Sequence, residues 1–511
     1  MNTLNGYTTG NVDAGTISFL EGAISALNTA YGSASALGNG ISGLGNETVT
    51  IDDTASIDAS ALNTLNGYTT GNIVATTATS FTGTVSDLNT LYAAATSSGN
   101  GVSGLGSEAV TVTDSSVSAS DLNTLNTKTD YNITVNATAI SGSLSDVSTL
   151  YGNKAADSNA ATDGFTGLGN EAITVSDTGS VAANTLTTIA TANSSGTLNV
   201  SAAGTITGTA AEIIAAFADG TVTEASDVAL TVDSSGTATL AQARTLDGLT
   251  TGVVTATIAD TRVSDLVGSS PLLDANGNNA FTITIGTDDA TVAAADLNTL
   301  DGLTTVAINA GNVTTITSSS LADINTLYAS SGFSGLGDQA ITANDTGSIA
   351  ASTITTVATA NSSGTLNVSA AGTITGTAAE IIAAFADGTV TEASDVALTV
   401  DSSGTATLAQ ARTLDGLTTG VVTATIADTR VSDLVGSSPL LDANGNNAFT
   451  ITIGTDDATV AAADLNTLDG LTTVAINAGN VTTITSSSLA DINTLYASSG
   501  FSGLGDQDIT A

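Results

Sequence analysis

The sequence lacks the residue types on which much protein chemistry depends. Its 511 residues include no cysteine, no histidine, no tryptophan, one methionine and two prolines. Without cysteine and histidine, disulfide bonds, zinc sites, iron–sulfur clusters and histidine-based acid–base catalysis are excluded. No serine or carboxylate is placed with a recognisable base or cleft partner. We therefore expect a protein that is not an enzyme and has no certain cofactor.

Positive charge is also scarce. Six lysines and arginines face 48 aspartates and glutamates, so the formal net charge is −42. Such a chain would repel the phosphate backbone, which excludes nucleic acid as a partner. Isolated ion pairs are the expected role of the six cations, Lys128, Lys154, Arg244, Arg262, Arg412 and Arg430.

Long apolar runs and a leader segment are missing from these residues. No stretch approaches 18 uninterrupted apolar residues, so membrane insertion is not expected. The first residues have neither a charged nor an apolar signal region. The opening phrase after Met1 recurs at residues 63–71, and the last residues match a phrase that continues past position 343. We expect both ends to lie inside a repeat of something longer.

Internal repeats dominate what is present. Residues 190–339 reappear without a change as residues 358–507, which places the copies 168 positions apart. An apolar anchor in phrases such as Asp-Leu-Asn-Thr-Leu recurs about every 28 residues, and this predicts about 18 units. Short and long spacings alternate, so a pair of units is the true repeat. The anchor positions are Leu4, Ala30, Leu65, Leu91, Leu125, Leu150, Ile189, Ala216, Leu246, Ser269, Leu300, Leu327, Val357, Ala384, Leu414, Ser437, Leu468 and Leu495.

The repeats divide the chain into three parts. Residues 1–189 hold divergent pairs of units, residues 190–357 form the first copy of the long block, and residues 358–511 form a truncated second copy.

Each unit follows one local pattern. Apolar and polar residues alternate first, as in Thr48-Val49-Thr50-Ile51, which predicts a half-buried strand. A tight turn such as Asp114-Ser115-Ser116 and a second short extended segment follow. The unit then closes with a helical turn that begins at Ser or Asp and ends at Gly.

A unit of this size cannot bury both of its faces alone, but stacked units can share a continuous core. We therefore predict a mostly β repeat solenoid of about 18 coils of about 28 residues, each with short strands and one short helical turn. The alternative is a row of tandem β-rich domains of about 56 residues, although proline-rich linkers between them are absent. Disorder is disfavoured by the regular alternation.

Aromatic residues recur directly after the anchor in every second unit. This regularity predicts an aromatic stack along one interior edge, and a ligand-binding platform is the alternative. The positions are Tyr31, Tyr92, Tyr151, Phe217, Tyr328, Phe385 and Tyr496, interrupted at Ser270 and Ser438.

Acidic turns recur about once per pair of units. Stacking would align them into a column of carboxylates, and a calcium ion with oxygen ligands is the usual remedy for such repulsion. Turn residues that bond their own backbone are the alternative. The candidate calcium ligands are Asp52, Asp53, Asp114, Asp177, Asp233, Asp288, Asp289, Asp345, Asp401, Asp456 and Asp457.

Two further patterns have functional and structural interpretations. Outward pairs such as Thr111 with Thr113 and Thr282 with Thr284 could match an ice lattice, but threonine also suits the solvent face of any strand. Phrases such as Gly167-Leu168-Gly169 could cradle a phosphate, but an acidic residue and a strand follow, so we interpret them as turns.

The phrase Asp-Leu-Asn-Thr-Leu-Asp-Gly-Leu-Thr-Thr, the scarcity of Lys, His and Cys, and the duplicated block resemble giant repetitive cell-surface and secreted proteins of bacteria. The resemblance implies an extracellular or cell-surface location and a role as an adhesin stalk, sheath, surface layer or matrix fibre. Calcium rigidification is common in that class, but its Gly-Gly-x-Gly-x-Asp signature is missing here.

Three functions stay open at this point. The chain could form a rod or a self-assembling fibre or surface coat through end-to-end or lateral contacts between copies. It could be an adhesin stalk whose binding tip lies outside it. It could also be a repeat module that binds calcium, ice or cell-surface glycans.

Overall fold

The computed structural model describes residues 1–34, 39–96, 99–154, 164–218, 220–234, 236–268, 273–274, 277–386, 388–402, 404–436, 441–442, 445–485 and 488–510. The chain divides into two compact units, Met1–Thr257 and Ile258–Ala511.

Short helices and short strands alternate along the first unit. Its helices are α1 Asn2–Tyr7, α2 Ile24–Gly32, α3 Ala59–Tyr68, α4 Val85–Ala93, α5 Ala119–Asn126, α6 Leu144–Gly152, α7 Ala183–Ala192, α8 Ala210–Phe217 and α9 Leu240–Leu249. Its strands are β1 Val12–Asp13, β2 Phe19–Gly22, β3 Ile41–Ser42, β4 Thr48–Ile51, β5 Ser56–Asp58, β6 Asn72–Val74, β7 Ser80–Gly83, β8 Gly101–Ser103, β9 Ala109–Val112, β10 Ser116–Ser118, β11 Ile133–Val135, β12 Ala139–Gly142, β13 Phe165–Thr166, β14 Ala172–Val175, β15 Ser180–Ala182, β16 Thr197–Asn199, β17 Thr205–Gly208, β18 Val222–Thr223, β19 Ala229–Val232 and β20 Val254–Thr257.

The second unit repeats the same alternation. Its helices are α10 Val263–Val267, α11 Ala294–Asp301, α12 Leu321–Ala329, α13 Ala351–Ala360, α14 Ala378–Ala384, α15 Leu408–Leu417, α16 Val431–Val435, α17 Ala462–Asp469 and α18 Leu489–Ala497. Its strands are β21 Ala280–Thr282, β22 Thr291–Val292, β23 Ile308–Asn309, β24 Thr315–Ser319, β25 Phe333–Ser334, β26 Ala340–Ala343, β27 Ser348–Ala350, β28 Thr365–Asn367, β29 Thr373–Gly376, β30 Val390–Thr391, β31 Ala397–Val400, β32 Val422–Thr425, β33 Ala448–Thr450, β34 Thr459–Ala461, β35 Ile476–Asn477, β36 Thr483–Thr485, β37 Phe501–Ser502 and β38 Asp508–Ile509.

Parallel pairing between successive coils builds the sheets of the first unit. In the sheet β5-β7-β9-β11-β13, Phe81 pairs with Val110, and Val110 pairs in turn with Ile133. These three side chains are buried, whereas the threonines beside them on the strands point outward. The predicted alternation of inward aliphatics and outward threonines is confirmed in these strands.

Each five-stranded sheet of the first unit takes its strands from different positions in successive coils. In β5-β7-β9-β11-β13, the first two strands precede helices, the third lies in a longer connection, and the last two follow helices. The sheet β10-β12-β14-β16-β18 repeats this order one pair of coils later. The stagger therefore has the period of two coils that the alternating spacings predict.

The second unit is built in the same way. Its larger sheets have the strand orders β22-β24-β26-β28-β30 and β27-β29-β31-β32-β33. Because such sheets continue across several coils, both units have a repetitive, solenoid-like fold with helices between parallel strands, and within a unit the coils are not separate domains of about 56 residues.

The helices are longer than the single turn that the sequence pattern predicts, so "mostly β" understates the helical part of each coil. Helix α5 runs for eight residues and buries Ala119, Leu122 and Leu125 at a spacing of three. The pattern missed the alanine as a core residue because it is small and stands before the apparent start of the helix. Packing against a helix on either side stabilises the extra turn.

The described anchors lie on helices and are buried, except Leu4, which is 57% exposed in the first coil. Two predicted anchors, Ser269 and Ser437, lie outside the described residues, as do the aromatic gaps Ser270 and Ser438. In the helices just before them, Leu266 and Leu434 are fully buried.

Candidate functional site

Six of the predicted acidic residues bind the N-terminus of a helix in the preceding coil. The Asp114 carboxylate lies in the turn after β9, and its Oδ2 accepts a hydrogen bond of 2.7 Å from the backbone N–H of Val85, the first residue of α4. The same bond, at 2.6–2.7 Å, joins Asp53 to Ile24, Asp177 to Leu144, Asp289 to Val263, Asp345 to Leu321 and Asp457 to Val431.

The parallel register explains how these carboxylates reach their helices. Gly83 at the end of β7 pairs with Val112 of β9, and the N–H of Thr113 donates to the carbonyl oxygen of Gly83 at 3.0 Å. The next residue, Asp114, therefore lies beside the start of α4. Its negative charge suits the unpaired N–H groups and the positive end of the helix dipole. We call this arrangement an inter-coil cap.

The other five acidic candidates have no such role. Asp288 and Asp456 form exposed ion pairs with Arg262 and Arg430 at 3.4 and 3.3 Å. Asp52, Asp233 and Asp401 are exposed, and their carboxylates accept no hydrogen bond among the described residues.

A one-residue difference separates Asp233 from the capping residues. Asp233 follows the strand residue Val232 directly, whereas Asp114 stands two positions after Val112. Helix α8 has only a local cap, in which Thr209 accepts from the N–H of Glu212 and Glu212 accepts from the N–H of Thr209, whereas α4 has a local cap from Thr84 in addition to Asp114. Helix α14 has the same capping box between Thr377 and Glu380.

The described residues contain no group of three or more acidic side chains that could hold a metal ion. The inter-coil caps occur on α2, α4, α6, α10, α12 and α16, so they are at least two coils apart, which corresponds to about 10 Å or more at the spacing of paired strands. Calcium–oxygen bonds are about 2.4 Å long, so two successive caps are too far apart to share one ion. Calcium binding at the eleven aspartates stays a prediction.

A second repeated arrangement joins a tyrosine on a helix to a buried glutamate in the following loop. The Tyr151 hydroxyl lies 2.5 Å from Oε2 of Glu171 and 3.0 Å from Oδ1 of Asn193. The backbone N–H of Gly169 also donates to Glu171 Oε2, at 2.8 Å. Asn193 holds the backbone of Glu171 through two further bonds of 2.8 and 3.0 Å. We call this arrangement the tyrosine latch.

Glutamine replaces glutamate in the second unit. There, Gln339 Oε1 accepts from the Tyr328 hydroxyl at 2.8 Å, and the Gln339 Nε2 group donates to the carbonyl oxygen of Val313 at 3.1 Å. Glu171 and Gln339 are both fully buried. In the described parts of the chain, no lysine or arginine forms an ion pair with a latch glutamate, so the charge of the glutamate is buried without a cationic partner. A latch with glutamine avoids this buried charge.

Burial raises the pKa of the Tyr151 hydroxyl above its ordinary value of 10.0, and the hydrogen bond and the negative charge of Glu171 raise it further. The pKa of Tyr31 is raised by burial and by Glu47 in the same way. For Tyr328, burial and the charge of Asp338 raise the pKa. The latch tyrosines are therefore hydrogen-bond donors rather than nucleophiles.

The Gly-x-Gly phrases form the turns that the sequence predicts and also build the latch. Gly167 has a φ of +87°, and a Cβ there would lie 2.4 Å from the carbonyl oxygen of Val135, so only glycine fits. The latch itself was not predicted from the sequence. The available signal was a Glu or Gln two positions after the second glycine, as at Glu47, Glu108, Glu171, Gln339 and Gln507.

The aromatic row is not a stack of its own members. Among the described residues, the ring contacts are Tyr31 with Tyr68, at 6.1 Å between centroids, and Phe81 with Tyr92, at 6.3 Å. Neither joins two residues of the predicted row, because row members recur only on every second coil.

Asparagines of the Leu-Asn-Thr-Leu phrases connect consecutive helices. Asn63 on α3 donates from Nδ2 to the carbonyl oxygen of Asp87 on α4 at 2.9 Å, and Asn89 donates to Asp121 on α5 at 3.0 Å. We call this series the asparagine ladder. Its other bonds run from Asn2 to Ala26, Asn28 to Ala61, Asn123 to Asp146, Asn298 to Asp323 and Asn466 to Asp491.

Outward threonines align in single file. Thr82, Thr111, Thr134 and Thr166 are in register on four successive strands and are half-buried. The Thr134 and Thr166 hydroxyl oxygens are 3.2 Å apart and bond to each other. Thr113, Thr282 and Thr284 are exposed outside the regular strands or at a strand end. Ice binding stays a prediction.

In the parts of the chain that are described, no helix has the length and apolar character that crossing a membrane requires. Comparisons with known proteins give no family: no family model matches, and no curated protein matches. One similar solved structure is described as "Crystal structure of PEPR1-AtPEP1", with 10% sequence identity over 88% of this chain and 72% of that chain. Its TM-score is 0.16, which is too low to support a statement about fold or function.

Proposed function

We propose that this chain is an extracellular structural repeat protein that contributes a rod-like element to a fibre or surface coat. In detail, we propose about 18 coils of about 28 residues each. The observation that carries this proposal is the set of six inter-coil caps, because acidic residues suited to ligand binding are used instead to join one coil to the next.

The other repeated polar residues support the same role. The asparagine ladder joins consecutive helices, and the tyrosine latch joins a helix to the following loop and, through Asn193, to the next helix end. The Nδ2 groups of the ladder asparagines and the hydroxyl of Tyr151 are used inside the stack, so these groups add little binding chemistry at the surface.

We propose self-association between copies because the parallel strands of a coil can pair with a further coil, so another chain can extend the stack. Leu489 is 69% exposed and Ile509 is 50% exposed, whereas their counterparts Leu321 and Ile341 are buried under the next coil. Leu4 is likewise exposed where Leu65 is buried. A second copy could cover these residues and so make a head-to-tail contact.

Sedimentation velocity and negative-stain electron microscopy of the purified chain test this proposal over a series of protein concentrations. The variant Leu489→Asp places a charge in the exposed apolar part of the last coil. Val474→Asp is the matched control, because Val474 is an exposed valine of the same unit outside the last helix. We expect concentration-dependent filaments for the natural chain and the control, and single particles for Leu489→Asp.

Single particles at all concentrations would favour an adhesin stalk, in which the chain is a spacer. Filaments that form only with calcium would favour a calcium-binding module. Equal filament formation by Leu489→Asp would contradict the head-to-tail contact. The extracellular location is tested separately by mild proteolysis of intact cells of the source organism, which should degrade this chain and spare a cytoplasmic marker.

A further inference from the structure

One asparagine at a ladder position does not continue the ladder. Asn325 on α12 is the counterpart of Asn298 on α11, but its side chain has no hydrogen bond to α13 or to any other described residue. On the other helices, the asparagine at the ladder position donates to the following helix of the same unit, wherever that helix is described. The contact between α12 and α13 therefore lacks a bond that is made at comparable positions.

A bulge in the preceding strand accompanies this change. The register between β24 and β26 shifts between Ile316 and Ser319, and Ser318 has a φ of +54°. The shift adds one residue to β24 just before α12 begins at Leu321.

A groove with a volume of about 370 Å³ lies between α12 and the segment formed by β27 and α13. Its polar lining includes the Asn325 amide, the Asp345 carboxylate and the hydroxyls of Ser348 and Thr353. Leu321 and Ile349 also line the groove, but their side chains are only 3% and 6% exposed. The Asn325, Ser348 and Thr353 side chains have no hydrogen-bond partner among the described residues, so their donors and acceptors are free for a ligand.

The lining selects a neutral ligand that carries hydroxyl groups. Asp345 is the one charged residue in the lining, and its Oδ2 already accepts from the Leu321 N–H at 2.7 Å, so a metal ion would find a single carboxylate there instead of the several oxygen ligands it needs. The acidic chain would repel an anion, and an apolar ligand would leave the amide and the two hydroxyls unpaired. A sugar ring offers hydroxyls to the Asn325 amide and to the Ser348 and Thr353 hydroxyls.

We propose that the groove between α12 and α13 binds one or two sugar units of a neutral glycan, with Asn325, Ser348 and Thr353 forming hydrogen bonds to sugar hydroxyls. This role goes beyond the structural function proposed above and does not depend on self-association.

The chain contains its own control for this site. Residues 321–332 are repeated without a change as residues 489–500, so Asn493 has the same local sequence as Asn325. Asn493 lies on α18, after which no further helix is described, so the second wall of the groove is absent there. Asn493→Ala therefore removes the same side chain outside the groove. Asp345 is left unchanged in all variants because it also caps α12.

Saturation-transfer NMR of the full chain with glucose, galactose, mannose and N-acetylglucosamine tests the site, followed by titration calorimetry with the best binder. We expect at least one sugar to bind, and Asn325→Ala and Thr353→Val each to raise Kd by about tenfold. Asn493→Ala should leave Kd unchanged. Thermal melting should match the natural chain for all three variants, because none of these side chains bonds to the protein.

Absence of saturation transfer from all four sugars would overturn the proposal. Equal binding by Asn325→Ala, or an equal loss in Asn493→Ala, would also overturn it, because the sugar would then bind elsewhere. Butylammonium chloride is included as a cationic probe. Binding of butylammonium without binding of any sugar would show that the groove selects charge rather than hydroxyl groups and would equally reject the proposal.

Discussion

Asp114 and Val85 are 29 positions apart in the sequence, yet the Asp114 carboxylate caps the helix that Val85 begins, at 2.7 Å. An ordinary helix cap is local and stabilises one helix. This cap makes the N-terminus of α4 depend on a turn of the next coil. The stability of a coil therefore includes a term from its neighbour, as expected for a repeat protein in which interfaces between repeats carry much of the folding free energy.

Replacement of Asp114 by alanine should destabilise the first unit. The variant leaves the Val85 N–H without its acceptor and removes a charge that interacts favourably with the helix dipole. We expect the free energy of unfolding to fall by about 1 kcal/mol, measured by urea denaturation followed by circular dichroism. Asp114→Asn should lose less, because the amide oxygen still accepts the hydrogen bond.

Asp233→Ala is the matched control for that experiment. It removes the same charge from an acidic turn of the same unit, but Asp233 is exposed and caps no helix. Its unfolding midpoint should stay close to that of the natural chain. Equal destabilisation by the two substitutions would show that the inter-coil cap contributes nothing beyond a general charge effect.

The latch predicts opposite results for two reciprocal substitutions. Glu171→Gln should leave the free energy of unfolding unchanged or raise it by about 1 kcal/mol, because a buried charge without a cationic partner is replaced by an amide. Gln339→Glu should lower it by roughly 2 kcal/mol, because a charge is buried and the hydrogen bond from Nε2 to Val313 is lost. Thermal melting of both variants at neutral pH measures the difference.

Tyr151→Phe checks whether the latch acts through its hydroxyl group. Loss of the bond to Glu171 should cost about 1 kcal/mol. Tyr68→Phe serves as the control, since Tyr68 is 44% exposed and lies outside the latch.

If Glu171→Gln destabilises as strongly as Gln339→Glu, the two latches are not equivalent and the expected order of stabilities is wrong.

The sequence predicted those features of the fold that depend on local pattern. The alternation at Thr48-Val49-Thr50-Ile51 predicts the strand β4, and the repeated anchors predict the stacked helices. The pairing of short and long units corresponds to the two-coil stagger of the sheets.

Features that depend on contacts between coils were not predictable from local pattern. The acidic turns were recognised at Asp53 and Asp114, but their role as caps depends on a register that brings residues about one coil apart together. The latch was missed for the same reason, because Tyr151, Glu171 and Asn193 come from three separate segments. The groove at Asn325 lies between α12 and the segment formed by β27 and α13, which local sequence pattern does not place side by side.

Acid should remove the stabilisation that two capping boxes provide. Hydrogen bonds from Thr209 lower the pKa of Glu212 below its ordinary value of 4.5, and Thr377 does the same for Glu380. The folded state thus binds these protons more weakly than the unfolded state. The stabilisation is present above pH 4.5 and is lost as the pH falls through the lowered pKa values.

The variant with both Glu212→Gln and Glu380→Gln tests this dependence. Helices α9 and α15 already have glutamine at this position of the box, in Gln242 and Gln410, so glutamine is compatible with the cap. Between pH 6 and pH 3, we expect the melting temperature to fall further for the natural chain than for the variant. Parallel melting curves over this range would show that the two glutamates are not the acid-sensitive caps.

Alkali should destabilise the protein through the latch tyrosines. Burial and the adjacent glutamates raise the pKa of Tyr31 and Tyr151 above their ordinary value of 10.0, so the folded state holds these protons more tightly than the unfolded state. The stabilisation is complete below pH 10 and is lost as the pH rises through the raised pKa values. Absorbance at 295 nm, which reports tyrosinate, should therefore show the latch tyrosines ionising only as the protein unfolds. In Tyr151→Phe the fraction of the signal that appears with unfolding should be smaller. Ionisation of all tyrosines together near pH 10 in the folded protein would contradict the buried latch, since a tyrosinate at Tyr151 would face the carboxylate of Glu171 without a proton between them.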